Sequence, residues 1–366
     1  MLRLAWANMM FRKTRSAISI LAVAVGISLL LVLVGMTQGT LREVAQRMQG
    51  TGADLLVHPQ DMNPVLETYA SIPAQAVARL RAVKGVAAVC PVVVGGMMLH
   101  GKHQRIFGVD PEEFRSVGAG LRLVKGRLWQ APNEILIDER LARGLGYKTG
   151  DTLERLDRRL TIVGICEAAN GARVLMPIKT LQDARSENGK VSFLLVKCAP
   201  GESPANVSAR IESDLSSLDL RTMLLSDYSR ELNRSFQGLN EFIAAVSTVC
   251  LVISFLTILL TLYTTVVERT REIAILKAMG ASRTYVMTNI LAESVILCLI
   301  GVAVGVALTL MAKDVMGAVL PLLTVEITIG WLLTAALLGL LGGLLGAIYP
   351  ALRAVASDPV AALTYE

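Results

Sequence analysis

Charge is the first thing this sequence is short of. Asp, Glu, Lys and Arg make up 18% of its 366 residues against 53% hydrophobic residues, and its mean hydropathy is +0.54. That balance excludes an ordinary soluble protein, yet it holds too much charge for a chain built only of membrane spans. A membrane protein with a sizeable soluble part is predicted. Aromatic residues reach only 5%, and the basic residues behind the net charge of +6 cluster beside apolar runs instead of forming a stripe interleaved with aromatics. They read as membrane flanks, next to lipid, and no nucleic-acid partner is expected.

Cysteine and histidine are also few. The five cysteines, Cys90, Cys166, Cys198, Cys250 and Cys298, form no C-x-x-C pair, and three histidines cannot complete a zinc site around them. Cys250 and Cys298 lie inside apolar runs, which leaves at most one disulfide among the other three. The soluble part must stand mainly on its own core. His58, His100 and His103 show no H-E-x-x-H spacing. The neighbouring carboxylates Asp138 and Glu139, and Glu112 and Glu113, stand near no nucleophile motif and read as solvated. No metal site and no enzyme activity are predicted.

A phosphate-binding loop G-x-x-x-x-G-K-[ST] is missing too. The nearest piece, "GLGYKTG", has Tyr147 where that loop needs its last glycine. This chain is therefore not expected to bind a nucleotide or to hydrolyse ATP by itself.

What is present is a set of four long uncharged runs, each about the ~20 residues that a helix needs to cross ~30 Å of hydrocarbon. The chain divides into an N-terminal segment (1–16), a first span (17–37), a stalk and α+β domain (38–241), a second span (242–267), a linking helix with the approach to the third span (268–291), the third span (292–312), a short loop (313–328), the fourth span (329–350) and a tail (351–366). The fold class is thus an α-helical membrane protein with four transmembrane helices in a 1+3 arrangement and a large α+β extracytoplasmic domain between the first and second. Arg3, Arg12, Lys13, Arg15, Arg269, Arg271, Lys277, Arg283 and Arg353 lie on one side, against Arg42, Arg47, Arg230, Arg234 and Lys313 on the other. By the positive-inside rule, both termini and the 268–291 link are cytoplasmic. No A-x-A site follows Met36, so the first run is an uncleaved anchor.

The excursion mixes two periodicities. "VAAVCPVVV", "LTIVGICEA" and "SFLLVKCAP" are β-branched runs bounded by Gly or Pro, as strands are. "NVSARIESDLSSL" sets Val207, Ile211, Leu215 and Leu218 on one helical stripe. After Met36 the helical composition continues, with Leu41, Val44, Ala45 and Met48 on one side, and predicts that the first helix runs on as a stalk.

The span centres hold no Asp, Glu, Lys, Arg or His, which disfavours an ion-coupled carrier. Glu293, at the edge of the third span, reads as a carboxylate at headgroup level. Small residues stand out instead. Gly301 and Gly305 form G-x-x-x-G in the third span, and in the fourth Gly339 pairs with Gly343 and Gly342 with Gly346, faces that allow close helix approach. Whether those contacts lie within one chain or between two is open.

The link "ERTREIAILKAMGAS" is punctuated at both ends. Gly280 suits the left-handed residue that ends a helix, and Ser282 suits the cap of the next. Glu268 and Arg271, three apart, are placed to pair. Arg269, Arg271 and Lys277 point in separate directions among Ile273, Ile275 and Leu276, a pattern expected of a helix gripped on several sides and not of one floating on lipid.

"ERTREIAILKAMGASRTYVMTNILAESVILCLIGVAVG" resembles the link and third span of the MacB/LolC/FtsX-like permeases of ABC transporters, the mechanotransmission type. "NMMFRKTRSAISILAVAVGI" is similar to their first span, "YPALRAVASDPVAALTYE" to their carboxyl end, and "GADLLVHP" and "NEILIDERLARGLGYKTGDTL" to segments of their outer domain. The resemblance covers the whole chain in order. It implies a permease subunit, one half of a homodimer, clasped by separate ABC ATPase subunits that bind ATP and Mg. It further implies a periplasmic adaptor or other outer partner, a place in the bacterial inner membrane, and export or extraction of a substrate. Carried over by position, Glu268, Arg269, Arg271, Glu272, Lys277 and Gly280 match the ATPase-coupling motif, and Asp358 and Pro359 match the tail. The MacB branch carries its ATPase ahead of the first span. Here residues 1–16 alone precede it, so the ATPase is expected as another chain. The alternative implied is an FtsX-like transducer that transports nothing and activates an outer partner such as a cell-wall hydrolase.

Overall fold

A computed structural model describes residues 13–61, 63, 72–118, 120–168, 170–320 and 322–356. Four helices among them are long and apolar enough to cross a membrane: α1, Lys13–Gln49, and three that follow the soluble excursion, Gln237–Glu268, Arg283–Val319 and Ile329–Ala356. The chain forms two compact units. One holds α1 up to Gly39 with the three later apolar helices, and the other holds Thr40–Gln237 together with Leu320–Leu322.

In the second unit the β-branched runs pair into a ten-stranded sheet. Its strands are β1 (Leu55–Pro59), β3 (Val86–Leu99), β4 (Lys102–Val109), β5 (Leu123–Gly126), β6 (Glu134–Asp138), β8 (Arg158–Cys166), β9 (Val174–Pro177), β11 (Phe193–Cys198) and β12 (Leu220–Leu224), with β7 (Thr152–Arg155) as a shorter piece, while β2 (Ile72–Pro73) and β10 (Lys190–Val191) pair in a separate two-stranded sheet. The order across the sheet is β12-β1-β11-β3-β4-β9-β6-β8-β5, with β7 added on β8. Most neighbours are antiparallel, but β4 with β9 and β6 with β8 run parallel. Long β3 pairs β11 through its first half and β4 through its second. Both faces are covered, because successive side chains point to opposite sides. Leu194 and Val196 enter one core, and Phe193 and Leu195 enter the other.

Short helices close these cores: α2 (Gln75–Arg81), α3 (Pro111–Val117), α4 (Glu139–Leu145), α5 (Ile178–Arg185), α6 (Pro204–Asp214) and α7 (Tyr228–Ser235). Val207, Ile211 and Leu215 are buried along the stripe the sequence marks. Leu41, Ala45 and Met48 of α1 are buried in the same core as Phe107, Phe114 and Tyr228. All three sheet-domain cysteines are free thiols. Burial pushes Cys166 up to about 12 and Cys198 to about 11, so neither carries a thiolate at neutral pH.

The first unit gathers α1 with α8 (Gln237–Glu268), α9 (Thr270–Ala278), α10 (Arg283–Val319) and α11 (Ile329–Ala356). α10 continues through Lys313 and Asp314 to Val319, where the sequence reading places the loop 313–328. The reason is local: apart from Gly317 the first helix breaker is Pro321.

Candidate functional site: the hinge between the second and third apolar helices

α8 stops at Glu268 because Arg269 leaves the helical region (φ −104, ψ 14). Thr270 Oγ1 donates to the carbonyls of Val266 and Val267, filling acceptors that the break exposes. α9 then runs for nine residues and ends in a double backbone clasp. Gly280 N donates to Lys277 O and Ala281 N to Leu276 O, both at 3.0 Å, the pattern of a Schellman stop. It requires a left-handed residue, and Gly280 supplies φ +95. Among the described residues no neighbour lies within 4 Å of where its Cβ would be, so conformation, not space, makes glycine fit. Ser282 Oγ then accepts from Tyr285 N at 3.1 Å and starts α10.

Glu268 does not pair with Arg271. The break at Arg269 puts the two on separate helices, and Glu268 instead forms a two-point pair with Arg15 of α1, at 2.8 and 3.2 Å. Arg269 and Glu272 approach to 3.7 Å. Lys277 Nζ donates to Val355 O at 2.8 Å, tying α9 to the end of α11. Ile273 and Ala274 are buried, whereas Arg271, Ile275 and Met279 face outward, with Ile275 43% and Met279 72% exposed. So α9 has a held face and a free face, where the sequence reading expects contacts on several sides. Asp358 and Pro359 lie outside the described residues.

Around the buried Ile273, Arg269 at the break and Glu272 and Leu276 of α9 are spaced i, i+3 and i+7, with Ile273 at i+4. α10 answers with Val286, Asn289, Ile290 and Glu293 in the same spacing, and these faces line one cavity. Glu293 corrects the sequence reading. It sits ten positions into α10 and is 8% exposed, so it faces neighbouring helices and not a lipid headgroup. Asn289 Oδ1 is buried with no hydrogen-bond donor among the described residues.

The span glycines meet other helices of the same chain. Gly301 lies against Val23 and Ile20 O, Gly305 against Ala24 O and Ile27, and Gly339 against Val302 and Ile27. Gly342 faces Leu251 O and Ser254. A Cβ on Gly343 would stand 1.9 Å from Cys298 Sγ, and one on Gly346 would stand 2.6 Å from Phe255 O. Ser294 Oγ donates to Gly343 O at 2.9 Å, and the hydroxyls of Ser19 and Thr261 meet at 2.7 Å.

In the sheet domain the structure reveals a charge cluster that the sequence reading does not find. Glu43 of α1 takes Arg47, one turn on, together with Arg140 and Arg173 at 3.0 Å each. Arg47 also reaches Asp138 at 3.0 Å. Asp138, read from sequence as solvated, is fully buried and caps α4 by accepting from Leu141 N at 2.6 Å. Burial pushes its carboxyl up from the usual range, against the pull of Arg47 and the Leu141 N–H. Burial likewise lowers Arg47. The i, i+4 spacing of Glu43 and Arg47 within an apolar stripe is the signal that was available.

A family model described as the MacB-like periplasmic core domain matches residues 16–214, and one described as the FtsX-like permease C-terminal matches 244–359. The chain is similar to the uncharacterized ABC transporter permease YknZ of Bacillus subtilis, 24% identical over all of this chain and 98% of that one. It is similar at the same 24% to the macrolide export ATP-binding/permease protein MacB 1 of Yersinia pestis, where all of this chain covers 60% of the relative. Among solved structures, the periplasmic region of MacB from Actinobacillus actinomycetemcomitans aligns with a TM-score of 0.39 at 14% identity, over 52% of this chain and 97% of that one.

Proposed function

We propose, for this chain, which belongs to the MacB-like and FtsX-like family of ABC transporter permeases, that α9 is the part an ABC ATPase subunit holds. The ATPase binds ATP and Mg, and its nucleotide cycle moves the sheet domain to export or extract a substrate. The observation that carries this reading is the free face of α9. Arg271, Ile275 and Met279 project from a helix fixed at one end by the Gly280 stop and at its side by Lys277. Exposed apolar side chains flanked by charge, on an element whose backbone is already ordered, suit a protein contact that costs little further ordering.

Several features support the rest of the reading. α1 is one unbroken helix from Lys13 to Gln49, so a displacement at one end is passed along hydrogen-bonded backbone. The apolar helices hold no Asp, Glu, Lys, Arg or His at their centres, in keeping with a substrate that does not cross through them. The glycine contacts are spent within the chain, which leaves exposed apolar faces on α8 and α11 for lipid and for a second permease copy. Under this reading both termini are cytoplasmic and the membrane is the bacterial inner membrane. An adaptor or other outer partner engages the sheet domain.

The test is co-purification in mild detergent. Wild-type chain is expected to retain its ATPase subunit, and Met279→Asp or Ile275→Asp to lose it while still inserting in the membrane. Retention by both variants would remove α9 as the contact.

A further inference from the structure

Where α8 and α11 pack together, the ridges they expose end in aromatic rings and a guanidinium. Along α8, Leu256, Leu260 and Tyr263 recur at i, i+4 and i+7, and along α11 Leu341, Leu345 and Tyr349 recur at i, i+4 and i+8, so each set lies on one side of its helix. All four leucines are exposed. Between the two helices the backbones come close, with Gly342 against Leu251 O and Gly346 against Phe255 O. At the end of the ridges the two tyrosine rings stack, their centroids 6.2 Å apart and their planes 22° from parallel. Arg353, one turn beyond Tyr349, donates from Nη1 to Tyr263 Oη at 2.7 Å and holds its Cζ 5.1 Å from the centre of that ring. These contacts orient the guanidinium without neutralising it. Among the described residues no carboxylate pairs with Arg353, and Glu268, five residues after Tyr263, is held by Arg15. Tyr263, Tyr349 and Arg353 all belong to the unit of apolar helices.

We propose that this corner binds the phosphate of an anionic phospholipid, in the leaflet met by the α9 end of these helices. The remaining N–H groups of Arg353 donate to phosphate oxygens as a planar fork, and the hydroxyl of Tyr349, a residue 52% exposed, supplies a further donor. The acyl chains lie along the leucine ridges. A free phosphate would leave those apolar surfaces bare, and a zwitterionic lipid would bring its own ammonium to a corner that already holds an unneutralised cation. Tyrosine suits this depth, because its ring is apolar and its hydroxyl polar. An arginine that merely snorkels stays loose in the interface, whereas Arg353 is fixed by a hydrogen bond and a ring face before any lipid arrives, which lowers the ordering cost of binding. Val355, the acceptor of Lys277, is two residues further on, so the lipid and the hinge meet on the terminal turn of α11. The site does not depend on which protein holds α9.

Full-length protein is stripped of lipid in detergent and titrated with phosphatidylglycerol or with phosphatidylcholine of the same acyl chains, and bound lipids are counted by native mass spectrometry. Wild type is expected to favour phosphatidylglycerol by about fivefold at one site. Arg353→Gln should abolish that preference, and Tyr349→Phe, which keeps the ring stack, should weaken it. Arg353→Lys should keep part of it, which separates the charge from the packing of the side chain. Arg283→Gln, at another exposed arginine of the same unit, should leave it unchanged. An equal affinity of wild type for the two lipids overturns the site. So does an equal loss in Arg283→Gln and Arg353→Gln, which would reduce the effect to a general attraction between basic helix ends and anionic lipid. Displacement of the lipid by millimolar inorganic phosphate assigns the corner to free phosphate and overturns the lipid. A disulfide between two copies that carry Leu345→Cys, formed in phosphatidylglycerol membranes, gives the ridges to a second chain and overturns it likewise.

Discussion

Arg47 of α1 and Asp138 at the start of α4 meet at 3.0 Å, with their side chains 7% and 0% exposed. One end of this ion pair sits on α1, and the other on the cap of a short helix of the sheet domain. Water cannot compensate either charge, so Asp138 depends on Arg47 and the Leu141 N–H, and Arg47 on Asp138 and Glu43. Arg47→Met strands Asp138 and is expected to cost about 3 to 5 kcal/mol, whereas Arg47→Met with Asp138→Asn recovers part of that loss. Hydrogen-exchange protection of the β6 amides in the full-length protein reads both, and equal loss in the single and double variants would contradict the pairing.

Two carboxyl groups of the sheet domain respond to acid in opposite senses. Glu134 accepts from both terminal nitrogens of Arg127 and from the backbone of Gln130 and Ala131, and these bonds hold it down from 4.5 to about 2. Its contribution is complete above the ordinary value and is lost as pH falls between 4.5 and 2. Asp138, raised by burial, goes the other way. Its charged form is the costly one, so that cost is relieved as pH falls through its raised value. Glu134→Gln is therefore expected to flatten the acid loss of exchange protection, and Asp138→Asn to steepen it, which titration of the same amides checks.

At Gly280 the demand is for φ +95, and side chains differ in what they lose there. Gly280→Asn should be tolerated best, Gly280→Ala should cost about 1 kcal/mol, and Gly280→Val more. Stimulation of the ATPase subunit should fall in that order while permease yield stays level. An equal effect from Asn and Val would show that the left-handed stop is not what matters.

Among the span glycines, Gly343 and Gly317 make a contrast. A Cβ at Gly343 collides with Cys298 Sγ, whereas nothing lies within 4 Å of one at Gly317. Gly343→Ala should lower the melting temperature in detergent, Cys298→Ala added to it should restore much of the loss, and Gly317→Ala should be neutral. Additive losses in the Gly343 and Cys298 pair would argue against their contact.

Arg15 and Glu268 illustrate a pair that geometry alone would overrate. Both side chains are about a third or more exposed, so either alanine variant is expected to change stability by less than about 1 kcal/mol. The effect should shrink further at high salt, as a melting series in increasing sodium chloride would record.

How far the sequence could be read follows from the range of each interaction. The four apolar runs, the Gly280 stop and the Ser282 cap depend on residues a few positions apart, and all are visible in the string of letters. The strands at 86–94 and 192–200 are visible too, but their adjacency is not, because β3 and β11 are joined across some hundred residues and nothing local encodes that register. Glu293 shows how a local rule misleads. A charge at the edge of an apolar run is ordinarily at the membrane surface, whereas Glu293 is 8% exposed, on a cavity that residues of α8, α9 and α10 line together. Asp138 repeats the lesson, since its partner Arg47 lies on another element. Glu268 and Arg271 show the reverse, a short spacing broken by a single residue outside helical geometry.

Pro350 stands inside α11, and Lys277 is fastened to Val355, five residues further on. Proline has no N–H to give the carbonyl of Gly346, so the rung that would brace the final turns against the rest of that helix is missing. Under the proposed coupling, a force on α9 enters α11 beyond that missing rung, on the far side of Pro350 from the glycine contacts at Gly339, Gly342, Gly343 and Gly346.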